Sequence, residues 1–170
     1  MDVIEMPPLE IKAERFPNVF VFPRRRIFDP GKNVLLAANL FNFAVNSDQP
    51  LLDHDRWLAQ VAAPMLSGKA SAGARIVGLA SRSGSAAHNQ RLSVRRAKSV
   101  DASLALLMFA NDLVNPPGPP QRTTVGGQGE HFAASVGAKD GSEQGQFRAV
   151  LVTLLADRTK NTPVRILTEA

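Results

Sequence analysis

A chain of 170 residues, 44% of them hydrophobic, can build one full core but hardly two independent ones, so a single domain with added ends is expected. Its 20 Lys and Arg against 15 Asp and Glu leave a formal charge of +5, which suits an acidic partner without naming one. The absence of cysteine excludes disulfides, thiolate metal sites and a cysteine nucleophile within these residues, and no lipid-anchored cysteine is expected.

Residues 1–33 carry the strand-like runs Leu9-Glu10-Ile11-Lys12 and Val19-Phe20-Val21-Phe22, broken by Pro17, Pro23 and Pro30, and predict an arm or extra edge strand. The start lacks the basic lead and apolar run of a secretory signal, so no cleaved leader is expected. Arg24-Arg25-Arg26 reads as a solvated basic turn. Val34 to Val45 predicts a central strand, and Asn39 and Asn42 interrupt it too early for a membrane span. Ser47 or Asp48 then caps a helix with Pro50 in its first turn. Leu51, Leu58, Val61, Ala62, Met65 and Leu66 share one face of that helix, and Pro64 imposes a kink or an early end.

Ser67 to Gly73 is a small-residue connection, Arg75 to Ala80 a second strand, and Asn89 to about Phe109 a second helix. The prolines of residues 115–120 make a stiff connector to a third strand near Arg122 to Val125. Gly126-Gly127-Gln128-Gly129-Glu130 is a loop; no Lys-Ser/Thr follows it as phosphate binding would require. Gln146 to Ala156 predicts a strong apolar strand, and from Asp157 runs a charged tail with an added strand at Val164-Arg165-Ile166-Leu167.

At about 100° per residue, the second helix gathers Leu92, Val100, Leu104 and Leu107 on one stripe, with Asn89, Ser93 and Arg96 in the same sector. Arg91, Arg95 and Lys98 fall opposite and read as a solvated face. Arg96, set among apolar neighbours, needs an anion, a polar pocket or a route for its head to water. From Arg56 through Val100 there is no Asp or Glu, while Arg75, Arg82, Arg91, Arg95, Arg96 and Lys98 crowd the second half. A carboxylate or other anion is the ligand this block favours. Arg96 would be its fork, the Ser81 and Ser83 hydroxyls its orienting groups, and the amides around Gly84 further donors.

The spacing Gly78, Gly84, Asn89, Leu92-Ser93 and Arg96-Ala97 resembles the peptidoglycan-binding motif of OmpA-like domains. Upstream, Leu40-Phe41-Asn42-Phe43, Pro50-Leu51-Leu52 and Trp57-Leu58 are similar to that family's first strand and helix, and Gln146-Phe147-Arg148-Ala149-Val150 to its last strand. The likeness covers roughly residues 36 to 156. It implies an α+β fold, β-α-β-α-β-β, with a mixed four-stranded sheet on two main helices. The arm would span 1–33, the OmpA-like domain 34–156 and the tail 157–170.

The resemblance also implies non-catalytic binding of a cell-wall peptide, with no cofactor or metal, by a bacterial envelope protein. In the family an aspartate and an arginine grip the zwitterionic end of diaminopimelate. Here Arg96 stands at the arginine position, but Ser81 replaces the aspartate, Leu79-Ala80 the preceding His-Thr, Ala44 a polar contact and Phe147 the final Asn. Losing one partner of a buried charge pair costs about 2 to 5 kcal/mol, where about 1.4 kcal/mol is tenfold in affinity. The site residues expected on this basis are Arg96, Ser81, Arg82, Ser83, Gly84 and Asn89.

Other chemistries fit less well. Asp53-His54-Asp55 lies on a helix where consecutive residues diverge by about 100°, so it reads as a surface charge cluster rather than a metal site. His88 adjoins the motif loop, and His131 has no partner by spacing. No Gly-x-Ser-x-Gly turn supports a hydrolase. Arg91, Arg95, Lys98, Arg82 and Arg75 could form a phosphate stripe, but few aromatic residues are left for stacking on nucleic acid. The alternative to wall binding is a fold retained for protein–protein interaction in an envelope or secretion assembly.

Overall fold

The computed structural model describes residues 16–69, 71–112, 123–130, 139, 141, 144–160 and 165–166. In chain order these form β1 (Val19–Val21), β2 (Ile27–Phe28), β3 (Val34–Leu40), α1 (Leu52–Trp57), a π-helical turn (Leu58–Ala62), α2 (Ala63–Leu66), β4 (Gly73–Gly78), α3 (Ala86–Asp112), β5 (Thr123–Gly127), β6 (Val150–Leu155) and β7 (Arg165–Ile166). The main sheet has the order β1-β3-β6-β4-β5. β6 lies antiparallel between β3 and β4, and β4 pairs parallel with β5 across the α3 connection. The expected α+β architecture is present, with β1 added as a fifth, antiparallel edge strand beside β3.

Adjacent residues of a strand point to opposite faces, and here both faces are covered. Ala38, Leu40, Ala74, Ile76, Val150, Val152 and Leu154 face the helices, meeting Trp57, Leu58, Leu66, Val100 and Leu104. Ala37, Phe41, Leu79, Ala149 and Leu155 belong to a second core with Phe22, Val34 and Phe147. Ile27 and Ile166 pack against this second core from β2 and β7, which pair antiparallel as a ribbon. The arm and the tail therefore meet. Asn33 strengthens the junction by donating to the Asp157 carbonyl and accepting from its N–H, both at 2.8 Å.

Several local expectations shift. The second strand ends at Gly78 rather than Ala80, and the last begins at Val150, after a 3-10 turn over Gly145–Phe147. Phe147 is apolar because it fills core, with 2% of its surface exposed, and periodicity does not separate that role from strand. Arg24-Arg25-Arg26 forms a short 3-10 turn, but it is not wholly solvated: Arg26 is buried, its guanidinium 5.7 Å from the Phe22 ring centre. Pro64 has no N–H for the helical ladder, and the π-helical turn directly before α2 absorbs the mismatch. Leu9 to Lys12, the proline connector and His131 lie outside the described residues.

Ser47 and Asp48 do not cap the first helix. The Ser47 hydroxyl accepts from the Gln49 N–H at 3.1 Å, and Leu51, which has no capping atom, occupies the cap position. His54 does the work instead, its Nδ1 accepting from the Leu51 N–H at 3.0 Å.

Candidate functional site

The site is assembled where β3 and β4 end and α3 begins. α3 seats closely on the sheet because Gly78 and Gly127 present no side chain: a Cβ at Gly78 would run into the Ser93 carbonyl, and one at Gly127 into the Ser93 hydroxyl. That hydroxyl donates to the Gln90 carbonyl and accepts from the Gly129 N–H, each at 2.8 Å. Gly78 and Ser93, both members of the motif, thus act in packing.

Arg96 lies one turn further along, with 1% of its surface exposed. Its Nε donates to the Ser47 carbonyl at 2.9 Å, Nη1 to Leu79 at 3.0 Å and Nη2 to Ala44 at 3.2 Å. The guanidinium carbon stands 5.5 Å from the centre of the Phe43 ring. One side chain therefore ties the segment after β3 to the segment after β4. These carbonyls lie outside the regular strands; that of Ala44 also accepts from the Ser47 N–H, whereas Leu79 is buried, where a carbonyl without a donor costs about 1–3 kcal/mol. The expected Arg96 fork is turned toward backbone oxygens, with both ends of its Nε–Nη2 edge already donating.

Two other side chains catch carbonyls of the same segment. Arg148 Nε donates to Phe43 at 2.6 Å, and His54 Nε2 bonds the Phe41 carbonyl at 2.8 Å. Because Nδ1 of His54 accepts, Nε2 carries the proton and the ring is neutral. Burial pushes its pKa down to about 4 against the backbone bonds that favour the charged form. The reading of Asp53-His54-Asp55 as a surface cluster is corrected: His54 is wholly buried, and Asp53 accepts from Asn18 Nδ2 at 2.9 Å. His54 lies against the segment after β3, its ring centre 4.8 Å from that of Phe43, which the helical spacing alone does not reveal.

Above Arg96 the rim is polar. Ser81 is buried, Arg82 and Ser83 are half-buried, and Gly84 is exposed with φ +75°, the left-handed turn that leads the chain into α3. The Arg82 carbonyl accepts from the Gly141 N–H at 2.8 Å. Ser85 caps α3 by accepting from the His88 N–H at 3.1 Å. His88 Nε2 is 3.1 Å from Asn46 Oδ1, which links the helix start to the segment after β3. Asn89 is buried and donates to Glu130 Oε2 at 3.0 Å.

Glu130 changes the electrostatics read from the sequence. The β4–β5 pairing continues past the strands, Gln128 N–H to Gly78 and Ala80 N–H to Gly129, and the next residue, Glu130, meets Asn89. The stretch without Asp or Glu receives an acid from a segment 41 residues away. A second, Asp48, pairs with Arg95 at 3.5 Å with both side chains nearly half exposed, which adds little stability. An ammonium group would thus find a carboxylate here. Glu130, Asn46, His54 and Arg148 are the residues that sequence reasoning did not bring to the site. For Glu130 the signal lay in the strand register, one step beyond what periodicity reads. Among the described residues no group of three or more His, Asp or Glu side chains could hold a metal ion, and no helix is long and apolar enough to cross a membrane.

A sheet backed by helices thus carries a polar rim over a buried arginine at the strand ends. No family model matches the chain, and no curated protein matches it. Solved structures do. The peptidoglycan-associated lipoprotein from Burkholderia pseudomallei is 19% identical, with 67% of this chain and 87% of that one covered and a TM-score of 0.54. The periplasmic domain of a MotB is 12% identical over 94% of this chain and 92% of that one, with a TM-score of 0.52. That of Helicobacter pylori MotB is 12% identical over 76% and 80%, with a TM-score of 0.50. The chain has the OmpA-like fold.

Proposed function

We propose that this chain is a non-catalytic binding module for a cell-wall peptide, and that it works where the wall is accessible, in the bacterial envelope. The observation that carries the reading is the pairing of opposite charges around one rim. Glu130, held by Asn89, supplies an acid, and the Arg82 side chain and the buried Arg96 supply positive charge. A ligand end bearing both ammonium and carboxylate matches that pairing. Ser83, the amides around Gly84 and the start of α3 supply hydrogen-bond donors for the carboxylate. Arg96 acts from beneath, setting the positions of Ala44, Ser47 and Leu79. The fold is shared with a peptidoglycan-associated lipoprotein, which adds support.

Cosedimentation with purified peptidoglycan tests the reading. Wild-type protein should pellet with the wall, and Glu130→Gln, which keeps shape and removes charge, should weaken binding at least tenfold, worth about 1.4 kcal/mol. A second reading, in which wall binding is lost and the fold serves a protein partner, draws on the burial of Ser81 and the turning of Arg96 to carbonyls. It predicts no wild-type pelleting, with binding appearing only in Ser81→Asp if an acid is all that is missing.

A further inference from the structure

α3 has an outward face that touches the candidate site only through the Arg95–Asp48 pair. Arg91, Arg95, Lys98, Ala102, Ala105, Leu106 and Phe109 fall within about 60° of one line at 100° per residue, and all are exposed. The first three are cations. The rest are apolar, Leu106 being 69% and Phe109 64% exposed, while Leu104 and Met108 on the other side of the same turns are buried in the core. A helix that is apolar all round is a buried helix, so the last half of α3 lacks a cover among the described residues.

We infer that this half of α3 packs antiparallel on the same half of α3 in a second copy of the chain. The stripe is complementary to itself about a two-fold axis between Ala105 and Leu106. That axis sets Ala105 against Leu106 and Ala102 against Phe109, small opposite large at both levels, as close helix packing requires. It also separates the cations. The two Lys98 residues lie about 22 Å apart along the axis at 1.5 Å per residue, beyond the Debye length of about 8 Å. A parallel pair would instead oppose Arg91, Arg95 and Lys98 to their own copies. A lipid surface fits less well, because these cations lie in line with the apolar residues rather than flanking them as on an interfacial helix. The stripe covers on the order of a few hundred Å² per copy, under the about 800 Å² per partner of a standard interface, so the dimer is weak and concentration-dependent.

Sedimentation velocity of the full chain over a wide concentration range should show a reversible shift from monomer to dimer. Leu106→Lys and Phe109→Ser should each weaken it at least tenfold with unchanged circular dichroism, since both positions face solvent. The chain has no cysteine, so single introduced thiols read the register: Ala105→Cys should form a disulfide with its own copy under mild oxidation, and Arg91→Cys should not. A monomer at every concentration, or equal cross-linking at both positions, overturns the inference. Binding of the monomer to anionic vesicles that Leu106→Lys abolishes would assign the stripe to lipid and overturn it as well.

Discussion

The middle of the molecule and the ends of its strands are held together by different means. In the middle, Val100 and Leu104 of α3 share one core with Ile76, Val152 and Leu154 of the sheet, where the strands pair in register. Past Leu40 and Gly78 the regular strands end, and the carbonyls of Phe41, Phe43, Ser47 and Leu79 accept from the side chains of His54, Arg148 and Arg96, as does that of Ala44, which also accepts from the Ser47 N–H. A buried guanidinium or imidazole is a liability in the first region. In the second it is what lets irregular backbone lie beneath a polar rim.

The sharpest way to break this arrangement is Gly78→Ala, since both regions depend on the close seat of α3. Its new methyl group would meet backbone atoms of Ser93, which cannot swing aside. Denaturant unfolding should show a loss of about 4 kcal/mol, at the upper end for one substitution. Arg96→Leu and Leu104→Ala should each cost about 3 kcal/mol, by different routes. Hydrogen exchange separates them: Arg96→Leu should release the amides of residues 41–47, whereas Leu104→Ala should lower protection across α3 and leave those amides in their wild-type order.

An effect of no more than similar size is set by pH. The folded pKa of His54 is lowered to about 4 from 6.5, so the unfolded chain binds more protons between these values. The stability held by the neutral ring is complete above about pH 6.5 and is lost as pH falls toward 4, a change of at most about 3 kcal/mol. Asp55 opposes the trend, because burial raises its carboxyl pKa in the fold, and stability from that group grows as pH falls. Comparing wild type with His54→Gln in urea across this range isolates the histidine. The variant should lose the acid-side decline in midpoint; an identical decline in both would remove His54 from the role assigned to it.

The periodic parts of this protein were readable. The stripe through Leu92, Val100 and Leu104 is the buried face of α3, and Arg91, Arg95 and Lys98 are exposed as expected. The edge strand at Val19 and the tail strand at Arg165 were both signalled by short apolar runs. Arg96 was legible as a residue in need of partners, because a cation on an apolar face is an anomaly in any fold. Its partners were not. Neither was the burial of His54, whose place under Phe41 depends on how α1 lies against the end of β3.

Local pattern determined which faces of the chain would be buried, because burial follows spacing along a helix or strand and spacing is written in residue order. Tertiary structure alone decided which polar groups would meet. Asn89 and Glu130 are 41 residues apart, and Arg96 and Ala44 are 52 apart. Hydrogen bonds at the ends of strands depend on register and on where each ladder stops, quantities set by the packing of the whole sheet and carried by no single segment.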